Sequence, residues 1–165
     1  MSVDFEAYVA TRGPALLTFA YVLTGDAQLA EDLTQTALGQ AYRHWRRVER
    51  ADHPDAYVRK VLVNAHLSWR RRRSSTERPT EDVDPGIVAD PAHAAADRDE
   101  TRRLLDQLPP RARAILVLRY YADLDDASIA NLLSIRPSTV RATASRALAT
   151  LRGAHHPEST VEESR

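Results

Sequence analysis

The chain has 165 residues, 43% of them hydrophobic, enough to pack one ordinary domain or two small ones. It has no cysteine, which excludes disulfides, zinc-thiolate sites and cysteine nucleophiles and permits a reducing compartment. The formal net charge is zero, but the charges are segregated: Arg43 to Arg73 holds ten Lys/Arg against three Asp/Glu, Thr101 to Gly153 nine against four, and Thr76 to Glu100 two against eight.

Only five glycines, little period-2 alternation and several stripes of helical period predict an all-α fold. No apolar run approaches the roughly 18 residues that span a bilayer, and "DFEAY" stands where a secretory signal would be basic and then apolar. A cytoplasmic protein with no membrane insertion is expected. Near the start, "DFEAYVATRGPALLTFAYVLTGD" predicts a short helix, a break at Gly13-Pro14 and a second helix with Leu16, Phe19, Ala20 and Leu23 on one face. Asp26 then caps a helix in which Leu29, Leu33, Ala37, Ala41 and Trp45 recur on one side, with Asp32, Gln35, Thr36, Gln40 and Arg43 elsewhere.

A further helix opens at "DHPDAY", with Asp52 or His53 as cap and Pro54 in the first turn, where its missing N–H is harmless. Val58, Val61, Leu62, Ala65 and Trp69 form its expected buried stripe. At 100° per residue, Tyr57, Lys60, Asn64, Ser68 and Arg71 share a polar face that leads into the block Arg70, Arg71, Arg72 and Arg73. From Ser74 to about Ala96 the periodicity dissolves into prolines and acids, which predicts a mobile linker between two small helical domains. The expected division is 1–73, linker 74–96, second domain 97–153, and a disordered tail 154–165.

Four short helices are expected in the second domain, covering "DETRRLLDQL", "PRARAILVLRYYAD", "DDASIANLL" and "PSTVRATASRALATLR". The last two have helix-turn-helix spacing. Ala130 is small enough for helices to cross, Ile129, Leu133 and Val140 close a core, and Pro137 starts the second helix. Ser134 stands at the turn position that favours glycine, because left-handed backbone costs a β-carbon-bearing residue roughly 1 kcal/mol or more. If the second helix enters a major groove, Arg136, Ser138, Thr139 and Arg141 face bases or phosphates, and Ser145 and Arg146 follow the backbone. The competing interpretation is a helical pair with a solvated basic face.

Three stretches in order resemble an extracytoplasmic-function (ECF) sigma factor of the sigma-70 family, with its region 2 and region 4 domains. "AEDLTQTALGQAYRHW" is similar to the family's core-binding helix, and "PDAYVRKVLVNAHLSWRRRR" to its promoter-melting helix. "LPPRARAILVLRYYADLDDASIANLLSIRPSTVRATASRALATLR" is similar to its region 4 helix-turn-helix. The resemblance implies a non-enzymatic transcription initiation factor without cofactor or metal. Its implied partners are promoter DNA, core RNA polymerase (clamp helices of the largest subunit, flap of the second-largest) and an anti-sigma factor.

The resemblance also implies residue roles. Asp32, Gln35, Thr36 and Gln40 would meet the polymerase. Asn64 would lie near a flipped base of the minus-10 element, with Arg47 to Ala56 as the pocket wall and Tyr57 stacking, while Lys60, Ser68 and Arg70 to Arg73 attend the adjacent strand. Arg136, Ser138, Thr139, Arg141, Ser145 and Arg146 would read the minus-35 element. The chain departs from the family pattern at Thr36, where an acid often stands, at Ser134, and at Ala142-Thr143, where a Ser-Arg pair is frequent; this leaves fewer donors on the reading helix. Two rivals from other classes are a dimeric helix-turn-helix regulator and a metal-dependent hydrolase using His44, His53, His66, His155 or His156, which lack H-x-x-x-H spacing.

Overall fold

Helix α1 runs from Phe5 to Thr24 without interruption, through both Gly13 and Pro14. The expected break is absent. In an isolated helix an internal proline costs about 3 kcal/mol, but each large side chain buried on either side of it returns about 1.5–3 kcal/mol. Tyr8, Leu16, Phe19 and Leu23 are all buried on one continuous stripe, so packing decides, and Gly13 offers the proline ring no Cβ to meet. The helix ends at Gly25, whose φ of +70° and N–H bond to the Tyr21 carbonyl form a left-handed cap.

The protein is described here by a computed structural model covering residues 4–75 and 94–155, and among these every regular element is helical. Asp26 caps α2 (Ala27–Arg43) as expected, its carboxylate accepting the Leu29 N–H at 3.0 Å. Leu33, Ala37 and Ala41 are buried, and Thr34 joins them by donating its hydroxyl to the Ala30 carbonyl at 2.7 Å. Past His44 the short α3 (Trp45–Val48) carries Trp45 onto Phe5 and Tyr8, with ring centroids 5.2 and 5.0 Å apart.

Helix α4 spans Pro54–Ser75. Its buried residues are Val58, Leu62, Val63 and His66, whereas Val61, Ala65 and Trp69 are only half-buried. The expected stripe is rotated because α4 packs on two sides, against α1 and α2 and also against the second half of the chain.

That half contains α5 (Ala94–Asp106), α6 (Pro110–Leu116), α7 (Asp126–Leu133) and α8 (Pro137–His155). Residues 112–118 are all buried, and α6 passes into a π-helical turn over Val117–Tyr121 rather than continuing as one α-helix. At the expected linker, residues 74–75 belong to α4 and 94–96 to α5, and at the expected tail 154–155 belong to α8. The rest of both segments lies outside the described residues.

The two halves pack on each other. Helix α4 touches α6 and α7, α1 touches the π turn, and the buried side chains form one continuous cluster. At the seam the Phe19 and Tyr121 rings stand 6.3 Å apart.

Candidate nucleic-acid interface

The first turn of α4 is anchored to α1. Tyr8 Oη donates to Asp55 Oδ1 at 2.7 Å, Arg12 Nε donates to Oδ2 at 2.7 Å, and Arg12 Nη2 pairs with the same oxygen. Burial pushes the Asp55 carboxyl up, but the bonds from Arg12 and Tyr8 outweigh it and hold the group below the usual carboxylate range. The Tyr8 phenol is pushed up, by burial first and then by Asp55. This anchor adjoins the segment from Arg47 to Ala56, and it sets the bearing of the face that follows.

On that face Lys60 and Asn64 are exposed, Ser68 is half-buried, and Tyr57 is half-buried against the core. Arg70, Arg71, Arg72 and Arg73 are exposed, and the Arg73 guanidinium lies 5.1 Å from the centre of the Trp69 ring. Asn64, Arg70, Arg71 and Arg73 converge on a cleft of about 700 Å³. Its opposite wall comes from the second half: Pro109, Pro110, Arg111 and Leu133. Tyr57, Lys60, Ser68 and Arg72 do not line it. Arg111 was not singled out from sequence; its signal is a cation directly after Pro109-Pro110, at an exposed helix start.

The helix-turn-helix is built as its spacing predicts. Asp125 caps α7 by accepting the Ser128 N–H at 2.7 Å, a bond that holds its carboxyl low. Ser134 takes the left-handed backbone, φ +56° and ψ +44°, and the Ile135 N–H closes the turn onto the Ala130 carbonyl at 3.0 Å. Ile129, Ala130, Leu133 and Val140 are buried, and Pro137 is the first residue of α8. Arg136, Ser138, Thr139, Arg141, Ser145 and Arg146 are all exposed. Ser138, Arg141 and Ser145 share one face, with Thr139 and Arg146 beside it.

The polar side of α2 forms a third surface. Asp32, Gln35, Thr36 and Gln40 are exposed opposite the buried Leu33, Ala37 and Ala41. Gln28 Nε2 donates to Asp32 Oδ1 at 3.2 Å, and the Thr36 hydroxyl donates to the Asp32 carbonyl at 2.9 Å. Neither this surface nor the exposed face of α8 lines the cleft.

Sequence reasoning missed the buried Arg113. A cation inside "RARAILVL" has no periodic partner to announce it. His66 is also a core residue: burial first, then the charges of Arg70 and Arg113, push its imidazole down to about 4. Among the described residues no cluster of three or more His, Asp or Glu is placed to hold a metal ion, and no helix is long and apolar enough to cross a membrane.

Residues 8–76 match the sigma-70 region 2 model and residues 98–151 the sigma-70 region 4 model. The RNA polymerase sigma-E factor of Streptomyces coelicolor is 38% identical over 150 residues, covering 91% of this chain and 85% of the relative. The ECF RNA polymerase sigma factor SigL of Mycobacterium tuberculosis is 29% identical over 142 residues, covering 83% and 80%. In fold, the chain is similar to the sigma factor RpoE in its solved complex with the anti-sigma factor NepR from Bartonella quintana. The TM-score is 0.76 at 22% identity, over 94% of this chain and 98% of that one. A helix-turn-helix with a basic exposed face, an arginine-lined α4 and two matched regions in order lead to one conclusion: this chain belongs to the sigma-70 family as an RNA polymerase sigma factor of the ECF type, the kind of protein that directs core RNA polymerase to promoters.

Proposed function

We propose a division of labour among the three exposed faces. Asp32, Gln35, Thr36 and Gln40 of α2 meet the clamp helices of the polymerase's largest subunit. Asn64 contacts an unstacked minus-10 base, with Tyr57 at the pocket edge, and Lys60, Ser68 and Arg70 to Arg73 hold the neighbouring strand. Arg136, Ser138, Thr139, Arg141, Ser145 and Arg146 set α8 in the minus-35 major groove while the second half leans on the flap. Unpairing and flipping a base costs a few kcal/mol, which pocket contacts and the polymerase's grip offset together. The protein performs no covalent chemistry; it works in the cytoplasm, and an anti-sigma factor is its regulator, as the anti-sigma factor NepR is the bound partner of the fold neighbour RpoE.

The observation that carries this reading is the convergence of Asn64 with Arg70, Arg71 and Arg73 on one cleft. A single amide among phosphate-binding cations suits one base contact beside a strand. In vitro transcription with core polymerase on genomic fragments tests it. Discrete transcripts that need the added chain are expected. Tight binding to promoter-length duplex without polymerase, and no transcripts with it, would instead favour a free-standing regulator.

A further inference from the structure

Ser74 carries none of the roles proposed for α4, yet it lines the same cleft as Arg70, Arg71, Arg73 and Arg111. It is exposed, and its hydroxyl donates to the Arg71 carbonyl at 3.0 Å, which lays Oγ back over the preceding turn. Arg70 and Arg71, one turn earlier, are its neighbours on that side of the helix. Among the described residues no ion pair holds Arg70, Arg71 or Arg111, and no carboxylate lines the cleft. The hydroxyl therefore sits among cations that lack a counter-charge.

The sequence sets Ser74 apart in a second way. All four positions before it are arginine. The neighbouring Ser75 aside, no serine or threonine among the described residues has more than one arginine in the same four positions. A hydroxyl behind a dense run of arginines suits an enzyme whose substrate groove is lined by carboxylates, the chemistry by which arginine-directed serine kinases choose their acceptors. Placement helps as well. Ser74 is next to last in α4, and Arg71 to Ser74 are all exposed. Peeling that turn into an extended form uncovers no buried side chain, and helix ends open at little cost.

We propose that Ser74 is a phosphorylation site, modified by an arginine-directed serine kinase with ATP, and that its phosphate takes the place of the DNA strand on the α4 arginines. In the transfer a base of the kinase takes the Ser74 proton as Oγ attacks the γ-phosphorus; the bond from that phosphorus to the β-bridging oxygen breaks, and ADP leaves. The blocking of the strand rests on the proposed contact of Arg70 to Arg73; the modification does not.

A phosphoserine carries a charge of about −1.5 to −2 near neutral pH and can form one to three charge-assisted bonds with arginines. The carboxyl end of α4 opposes it with about half a negative charge. The full positive charges of Arg70 and Arg71 outweigh that. Being tethered, the phosphate acts at an effective concentration on the order of millimolar, whereas a strand must arrive from solution.

The full chain, treated with cyclic-AMP-dependent protein kinase and ATP, tests both parts. One phosphate on Ser74 is expected by mass spectrometry, with helical circular dichroism retained. Phosphorus NMR should show it titrating below its ordinary value of about 6, and Arg70→Gln together with Arg71→Gln should return it. A fluorescent single-stranded oligodeoxynucleotide should bind the phosphorylated chain about tenfold more weakly, with a salt slope lower by about 1.4, as loss of two phosphate contacts implies. Ser74→Ala should take up no phosphate at that position, and its strand affinity should not respond to the kinase. Phosphate delivered to another residue instead, an unperturbed titration, or an equal and measurable strand affinity with and without phosphate on Ser74 would overturn the proposal. An unmodified chain that holds no strand, beside a Ser74 phosphate that titrates low, keeps the modification site and removes the strand contact proposed for α4.

Discussion

Tyr8 and Asp55, 47 positions apart, share a 2.7 Å hydrogen bond that ties the first helix to the first turn of α4. Asp55 also takes Arg12, so one carboxylate sets the bearing of the face that carries Asn64. Asp55→Ala should cost about 1–3 kcal/mol, since it leaves the hydroxyl of the buried Tyr8 and a guanidinium without their acceptor, whereas Tyr8→Phe should cost about 1 kcal/mol. Urea denaturation of both single variants and the double variant is the check, and the costs should be less than additive. Because the Asp55 carboxyl is held below its ordinary value, its contribution is present above about pH 4 and is lost as pH falls through the folded-state value.

His66 acts in the same direction, but over a higher pH window. Its folded-state value of about 4 lies below the unfolded value of 6.5, so protonation favours the unfolded chain. Stability should fall by about 2 kcal/mol between pH 7 and pH 5 from this group alone. Below about pH 4 the loss levels off. His66→Leu should flatten the slope in that window, measured by denaturant midpoints at each pH. An equally steep slope in the variant would assign the effect elsewhere.

Ser134 holds a positive φ that its β-carbon disfavours. Ser134→Gly should raise stability by about 0.5–1 kcal/mol, relief of the left-handed penalty being partly offset by a more flexible unfolded chain. A melting temperature up by a few degrees, with promoter protection unchanged, is the expected pair of results.

Asn64 is exposed, so Asn64→Ala should leave the melting temperature and core-polymerase binding intact and impair open-complex formation on a cognate promoter, read by permanganate reactivity. Arg141→Ala should weaken protection of the upstream duplex about tenfold, within the 1–3 kcal/mol of a good base contact. A shared loss of polymerase binding in both variants would make them folding residues.

The helix-turn-helix was legible because each demand is local: a small Ala130, apolar Ile129, Leu133 and Val140, and Pro137 at a helix start. The α2 surface was legible because Leu33, Ala37 and Ala41 mark its reverse. What escaped was whatever two distant segments decide together. Pro14 sits inside α1 because Tyr8 and Leu23 bury on the same stripe, and the rotated α4 stripe reflects a second neighbour that periodicity cannot announce. Arg113 shows the same limit, since its acceptors are a backbone carbonyl and a carboxylate on two other helices.

The wide turn at Val117–Tyr121 makes chain length itself a constraint. Five residues there follow i to i+5 bonding, as in the Ala122 N–H to Val117 carbonyl bond at 3.1 Å. Excising any one of them would restore a regular helix but swing everything downstream by about 100°. Tyr121 would leave Phe19, and Asp126 would leave Arg119, which now holds it at 2.8 Å. A sequence one residue shorter in that stretch, however similar in composition, would present α7 and α8 in a different direction.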